Sequence, residues 1–258
     1  MKNIKVIYPS DYFNKKEVDE AFKEESECFK NNGFFVTTID SKNIEQGNYI
    51  YRGWMLNEEE YSDLEKILKM NNSKLITNKS DYLKAHYLKN WYDELKDFTP
   101  KTIFCDINNL EDTLNKLNWS QYFVKDYVKS LTTSRGSIAK NKEEVLELIK
   151  EIEKNKGITG GICLREVEKF KNETELRYFS FNNKIISPNG EIPEIVKEIN
   201  NIIKLKFFSI DIIKDNSNNY RLVEIGDGQV SDLKSPWEID DFVNGIKKSI
   251  KLNNKLKI

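Results

Sequence analysis

The chain has 258 residues, enough for one large core or for a few small lobes in contact. Its 41 Lys and Arg almost balance 42 Asp and Glu, for a formal net charge of -1, which gives no reason to expect a nucleic-acid or membrane partner. No apolar run nears the roughly 18 residues of a spanning helix, and the opening Met-Lys-Asn-Ile-Lys-Val leads into a strand, so a cytoplasmic protein is expected. The 3 cysteines, Cys28, Cys105 and Cys163, lie far apart with no Cys-x-x-Cys spacing and are expected to be reduced thiols. The single histidine, His86, excludes a His-based zinc site and a conventional Ser-His pair unless it serves alone.

In chain order, Lys5 to Pro9 is a short apolar strand. Asn14-x-x-Glu17 has the spacing of a capping box, and Val18, Ala21, Phe22 and Phe29 continue it as a helical stripe that Gly33 ends. Phe34 to Ile39 and Tyr49 to Trp54 are the next strands. Asn57-x-x-Glu60 caps a second helix, with Tyr61, Leu64 and Leu68 inward, and Lys74 to Thr77 is a fourth strand. Strands alternating with helices predict a small parallel sheet covered by helices. Ser80 to Lys96 reads as a broken helix, and Phe98-Thr-Pro-Lys-Thr leaves this lobe.

A second unit begins near Trp119. Tyr122 to Lys129 alternates so that Lys125 and Lys129 share a face, ~13 Å apart if the strand stays extended. Ser-Leu-Thr-Thr-Ser-Arg-Gly-Ser follows as a small, polar, flexible loop. Asn141-x-x-Glu144 caps a third helix along Val145, Leu148, Ile149 and Ile152. Gly160 to Val167 is a buried strand, Glu175 to Phe181 another, with Asn182-Asn183 as a tight turn between strands. Pro193 opens a helix carrying Val196, Ile199 and Ile203 inward. Phe207 to Gln229 reads as a hairpin, with direct pairing about Ser217 and Asn218 setting Asp211 beside Glu224 and leaving Asp227 just past the strand end. Paired carboxylates repel unless a cation joins them, and all-oxygen ligands suit magnesium. On the alternative that they merely face water, the hairpin is an ordinary exposed one.

These pieces suggest polyphosphate chemistry. Lys125, Lys129 and Arg135 supply positive charge, while Gly136 with the hydroxyls of Ser134 and Ser137 lets backbone amides approach phosphate oxygens. The loop lacks the Gly-Lys-Ser/Thr ending of a Walker motif. Arg52, at a strand end of the parallel sheet, is a candidate for a substrate carboxylate.

Tyr-Phe-Val-Lys125, Thr-Ser-Arg-Gly-Ser, Cys-Leu-Arg-Glu-Val-Glu, Glu175-Leu-Arg177-Tyr-Phe, Ser-Ile-Asp211 and Val-Glu224-Ile-Gly-Asp227 together resemble the ATP-grasp superfamily, over roughly residues 119 to 230 and in the expected order. More narrowly, Tyr-Arg-Gly-Trp-Met, Val-Lys-Asp-Tyr-Val-Lys-Ser and Glu-Ile-Gly-Asp-Gly-Gln resemble a bacterial and phage clade named for one arginine and two lysines. The resemblance implies an α/β (α+β) chain, in which 1-105 is a pre-ATP-grasp domain and 106-168 and 169-258 are the lobes that grip ATP. It implies that Lys125, Ser134, Gly136, Ser137, Glu166, Val167 and Glu175 bind the nucleotide, and that Lys129, Arg135 and Arg177 face the reacting phosphate. It implies magnesium on Asp211, Glu224 and Asp227. Gly226 stands where the superfamily motif has Asn, so Asp227 is one residue displaced from the usual ligand. The family's earlier lysine has no clear counterpart, with Lys89 and His86 nearest. The implied reaction is ATP-dependent ligation of a carboxylate to an amine or thiol through an acyl phosphate, and the alternatives are a phosphotransferase and a nucleotide-binding sensor.

Overall fold

The computed structural model describes residues 4–128, 136–155 and 157–255. The strands and helices are, in chain order, β1 (Ile4–Tyr8), α1 (Lys23–Asn31), β2 (Val36–Thr38), β3 (Asn48–Tyr51), α2 (Glu58–Met70), β4 (Lys74–Leu75), α3 (Lys79–His86), α4 (Leu88–Leu95), β5 (Thr102–Cys105), α5 (Leu110–Asn115), β6 (Tyr122–Asp126), β7 (Ile138–Ala139), α6 (Lys142–Asn155), β8 (Ile162–Glu166), β9 (Phe170–Phe181), β10 (Lys184–Ile186), α7 (Glu194–Ile202), β11 (Phe207–Asp215), β12 (Tyr220–Asp227) and α8 (Ile239–Lys255). They fall into two compact units that are not consecutive in sequence. The first comprises Met1–Ala85, Leu176–Asp211 and Ile225–Ile258, and the second His86–Glu175 and Ile212–Glu224. No helix among the described residues is long and apolar enough to cross a membrane.

In the first unit β1 lies inside a parallel sheet of order β2-β1-β3-β4, with Val6 opposite both Val36 and Ile50. A strand alternates its side chains, so β1 feeds two cores. Ile4, Val6 and Tyr8 pack with Phe29 of α1 and Phe242, Val243 and Ile246 of α8. Ile7 packs on the other side with Tyr61, Leu64 and Leu68 of α2. Both faces are therefore covered, as a parallel sheet requires. The capping box of α2 forms as expected: Asn57 Oδ1 accepts from the amides of Glu59 and Glu60, and Glu60 closes back on the Asn57 amide. The first helix departs from expectation. Asn14 caps nothing helical; Asp19 caps a short 3-10 turn over Glu20–Phe22, and α1 starts only at Lys23.

Gly245 lets α8 lie close to β10, because a Cβ there would stand 2.2 Å from Ile186 Cγ2. Overpacking costs about 1–3 kcal/mol, and alanine returns up to ~1 kcal/mol in helix propensity. Gly245→Ala is therefore expected to lower stability by about 1–2 kcal/mol, read as a lower urea midpoint at unchanged slope.

In the second unit an antiparallel sheet runs β5-β8-β6-β7, with Lys125 opposite Cys163 and Thr102 opposite Arg165. Tyr122, Val124, Ile162 and Leu164 pack against Val145, Leu148, Ile149 and Ile152 of α6 and Leu110 and Leu114 of α5. The two-residue period then sends Phe123, Lys125, Cys163 and Arg165 to the opposite face. α6 begins as expected, with Asn141 Oδ1 accepting from the Glu144 amide. Neither β5 nor α5 was anticipated, although Thr-Ile-Phe-Cys after Pro100 is a short β-branched and aromatic run of the strand kind.

The remaining sheet has the order β10-β9-β11-β12. Asn182 and Asn183 both take positive φ, 51° and 63°, the geometry of a two-residue hairpin turn. The turn between β11 and β12 differs from symmetrical pairing about Ser217 and Asn218. Asp215 donates its amide to Asn219 O and accepts from the Asn218 amide, while its side chain accepts from the amides of Ser217 and Asn219. Asn218 sits at φ 67°, so the turn is a three-residue loop with a left-handed bulge residue, shifted by one from the expected register.

Candidate functional site

Lys125 is only 1% exposed, on the face of β6 turned away from α6. A buried ammonium needs a partner, and Nζ donates to Glu224 Oε1 at 2.8 Å. Behind it, burial pushes the Cys163 thiol up to about 12. Burial likewise raises Cys28 to about 12 and Cys105 to about 11, so none of the three thiols is activated as a nucleophile.

The second unit also contains a cavity of about 440 Å³. Its walls include Phe123 and Ile138 from one sheet and Ile213 and Val223 from the hairpin, with Glu166, Val167, Glu168 and Glu175 at its edge. Apolar walls bordered by a few polar groups suit a planar heteroaromatic ring. Glu166, Val167 and Glu175 thus line one space. The Glu166 amide is engaged by Lys101 O at 2.8 Å, and that of Val167 reaches Gln121 O only at 3.5 Å.

Arg165 lines the same cavity and was missed from sequence. Its Nη1 donates to Val223 O at 2.9 Å, its Nη2 to Thr99 Oγ1, and its buried Nε has no hydrogen-bond partner. Burial lowers its pKa, against the opposing charge of Glu224. The alternation of β8, which puts Arg165 in phase with Cys163, was the available signal.

Of the loop residues, Lys129, Ser134 and Arg135 lie outside the described residues. Gly136 takes φ 79° with nothing within 4 Å of where a Cβ would stand, so its conformation, not space, calls for glycine. Ser137 O accepts from the Val124 amide at 2.7 Å, which seats the loop's end on β6.

In the first unit Arg177 on β9 forms a two-pronged ion pair with Asp211: Nε to Oδ1 at 2.7 Å and Nη2 to Oδ2 at 2.6 Å. Its Nη1 donates to both the backbone and the carboxylate of Asp232, and Lys234 Nζ lies 3.5 Å from Asp211 Oδ2. These partners raise the already high pKa of Arg177 further, against desolvation by burial. Lys89 Nζ reaches the Tyr127 hydroxyl in the second unit at 3.3 Å.

Asp227 is 1% exposed. Oδ1 accepts from the Gln229 amide and side chain, whereas Oδ2 has no hydrogen-bond partner. Burial raises its pKa to about 7, opposed by the Gln229 hydrogen bonds and by Arg52. The folded protein therefore binds this proton more tightly than the unfolded chain, so stability falls as pH rises from ~4 to ~7 and the penalty persists above. Asp227→Asn keeps the acceptor for Gln229 and removes the penalty. It is expected to melt several degrees higher than wild type at pH 8 and equally at pH 4, as followed by melting across pH.

Arg52 is not placed to take a substrate carboxylate. It is 3% exposed, and Nε and Nη2 are spent on Glu25 at 2.9 and 2.7 Å. Its Nη1 is spent on the carbonyls of Gly228 and Ser231.

Among the described residues no three His, Cys, Asp or Glu side chains converge as a metal-holding group. The oxygens of Asp211 and Glu224 sit in ion pairs, yet each carboxylate has lone pairs to spare. The unpartnered Oδ2 of Asp227 is an oxygen of the kind magnesium takes.

No curated protein matches the sequence. Among solved structures, the chain is similar to a RimK domain protein ATP-grasp from Sphaerobacter thermophilus, with TM-score 0.66 at 10% identity over 95% of this chain and 98% of that one. It is similar to a RiPP-associated ATP-grasp ligase from Chryseobacterium gregarium in complex with ADP and a leader and core peptide, with TM-score 0.62 at 13% identity over 98% and 97%. A third is the ATP-grasp ligase PsnB complexed with minimal precursor, Mg and ADP, with TM-score 0.60 at 11% identity over 96% and 98%. At such identities the likeness is one of fold, an α+β ATP-grasp fold. The family model for the ATP-grasp domain, R2K clade family 3, matches residues 72–246, more than half of the chain, and the protein belongs to that family.

Proposed function

We propose that the protein is an ATP- and magnesium-dependent ligase that joins a carboxylate to an amine or thiol through an acyl phosphate. The observation that carries this reading is the buried Lys125, paired with Glu224, in the same unit as a cavity lined by Glu166, Val167 and Glu175, in a member of the ATP-grasp family. Membership of the ATP-grasp family, together with a fold shared with ligases solved with ADP, Mg and peptides, supports it. A peptide carboxylate is accordingly the first acceptor to test. We further propose the division 1-105, 106-168 and 169-258 as pre-domain and two lobes.

In this reading Glu166, Val167 and Glu175 hold base and ribose. Lys125, Ser134, Gly136 and Ser137 hold the phosphates. Lys129, Arg135 and Arg177 neutralise charge as the terminal phosphoryl group moves to the acceptor carboxylate. Asp211, Glu224 and Asp227 would hold magnesium, which when bound would supply positive charge to offset that of the phosphates. Positioning and charge neutralisation then suffice, without a covalent enzyme intermediate. The three raised thiol pKa values agree with that.

The test is a pool of peptides and small carboxylates with amines and thiols, screened for ATP-dependent mass gain. A product heavier by the joined nucleophile, with ADP and phosphate released, is expected. A product heavier by phosphate alone would identify a phosphotransferase, and ATP binding without turnover a nucleotide-dependent interaction protein.

A further inference from the structure

A buried arginine is costly, and replacing a buried ion pair by apolar side chains of the same volume is often neutral for stability. What apolar groups cannot replace is a rigid fork of donors aimed at backbone. Arg52 has that form. Glu25 grips Nε and Nη2, the Tyr8 hydroxyl donates to Glu25 at 2.8 Å, and the ring of Phe242 lies 4.9 Å from the guanidinium carbon. The remaining nitrogen, Nη1, donates to Gly228 O at 2.6 Å and Ser231 O at 2.9 Å.

Those two carbonyls belong to the corner after β12. The same corner is fixed by the Tyr51 amide donating to Gln229 Oε1, by Ser231 Oγ donating to Asp227 O, and by a Ser209–Ser231 hydroxyl contact of 2.8 Å. One residue after Ser231 comes Asp232, whose backbone oxygen and carboxylate both accept from Arg177 Nη1. A single peptide thus separates the carbonyl that Arg52 holds from the carbonyl that orients Arg177.

We infer that Arg52, locked by Glu25, is a positioning residue: through the Gly228–Ser231 corner and Asp232 it fixes the guanidinium of Arg177 against Asp211. The consequence for catalysis rests on the ligase reading, but the positioning itself does not.

The experiment uses the full chain, with nitrogen-15 spectra of the Arg177 Nε–H, assigned by its loss in Arg177→Lys. Hydrogen exchange at that group is measured relative to the Val6 amide at the sheet centre, so that a general loss of stability cancels. Arg52→Lys keeps the charge but lacks the fork, and is expected to speed relative exchange at Arg177 at least tenfold. Glu25→Gln releases one prong of the lock and is expected to act in the same direction; it carries the measurement should Arg52→Lys not fold. Relative exchange within twofold of wild type in a folded variant overturns the positioning role. In the ligase assay kcat is expected to fall at least tenfold while ATP affinity stays within twofold. Changed exchange with no turnover in wild type would sink the ligase reading and leave the positioning standing.

Discussion

Lys125→Ala is expected to bind ATP ten- to a hundredfold more weakly than wild type while remaining folded. A charged contact to phosphate is worth about 1.5–3 kcal/mol, which sets that range. The fold should survive because the partner left behind, Glu224, has a side chain 32% exposed and can turn to solvent. In the unliganded protein Nζ is already committed to Glu224 at 2.8 Å. Glu224→Gln should therefore loosen that hold without removing the ammonium, and should weaken binding less than Lys125→Ala does. Calorimetric titration with ATP measures both. Unchanged affinity in a folded Lys125→Ala protein would remove Lys125 from the phosphate site.

Asp211→Asn is expected to reduce ATP turnover on the order of a hundredfold or more, the size of effect seen when a preorganised electrostatic partner is lost. Its effect on the unliganded protein should be opposite to what repulsion between two adjacent carboxylates would give. Asp211 is held in a two-pronged pair with Arg177 and approached by Lys234, so no excess of negative charge is relieved. Breaking a buried pair costs about 3–5 kcal/mol when one charge is left alone. Here Arg177 keeps Asp232, so a loss nearer 2 kcal/mol is expected. Asp227→Asn should lower turnover less than Asp211→Asn, because an amide oxygen still serves as a ligand. Melting of the apoprotein and turnover at varied magnesium separate the two effects. Full activity in both Asp211→Asn and Glu224→Gln would remove the proposed metal site.

Local chemistry makes much of the architecture legible in the sequence. Asn57 and Asn141 placed two helix starts because a side-chain oxygen three residues ahead of an orphan amide is a local bond. Asn182-Asn183 placed a hairpin turn because asparagine tolerates positive φ. The alternation of Tyr122 to Asp126 put Lys125 off the apolar face, while its proposed role at the phosphates rests on the family resemblance alone. Asn14 misled because its capping pattern is satisfied equally well by a loop, while Asp19 competes for the true start. Only the tertiary structure decided which charges meet. Arg52 directly follows β3 and Arg177 lies within β9, and neither local sequence says which carboxylate each will meet. One has its prongs closed on Glu25, 27 positions away, and the other on Asp211, 34 positions away. Partner choice over such separations is set by the packing of sheets and helices, which sequence periodicity constrains by face but not by neighbour. The register at Asp215 to Asn219 is of the same kind, since one left-handed asparagine shifts a hairpin by a residue and with it every cross-strand pair.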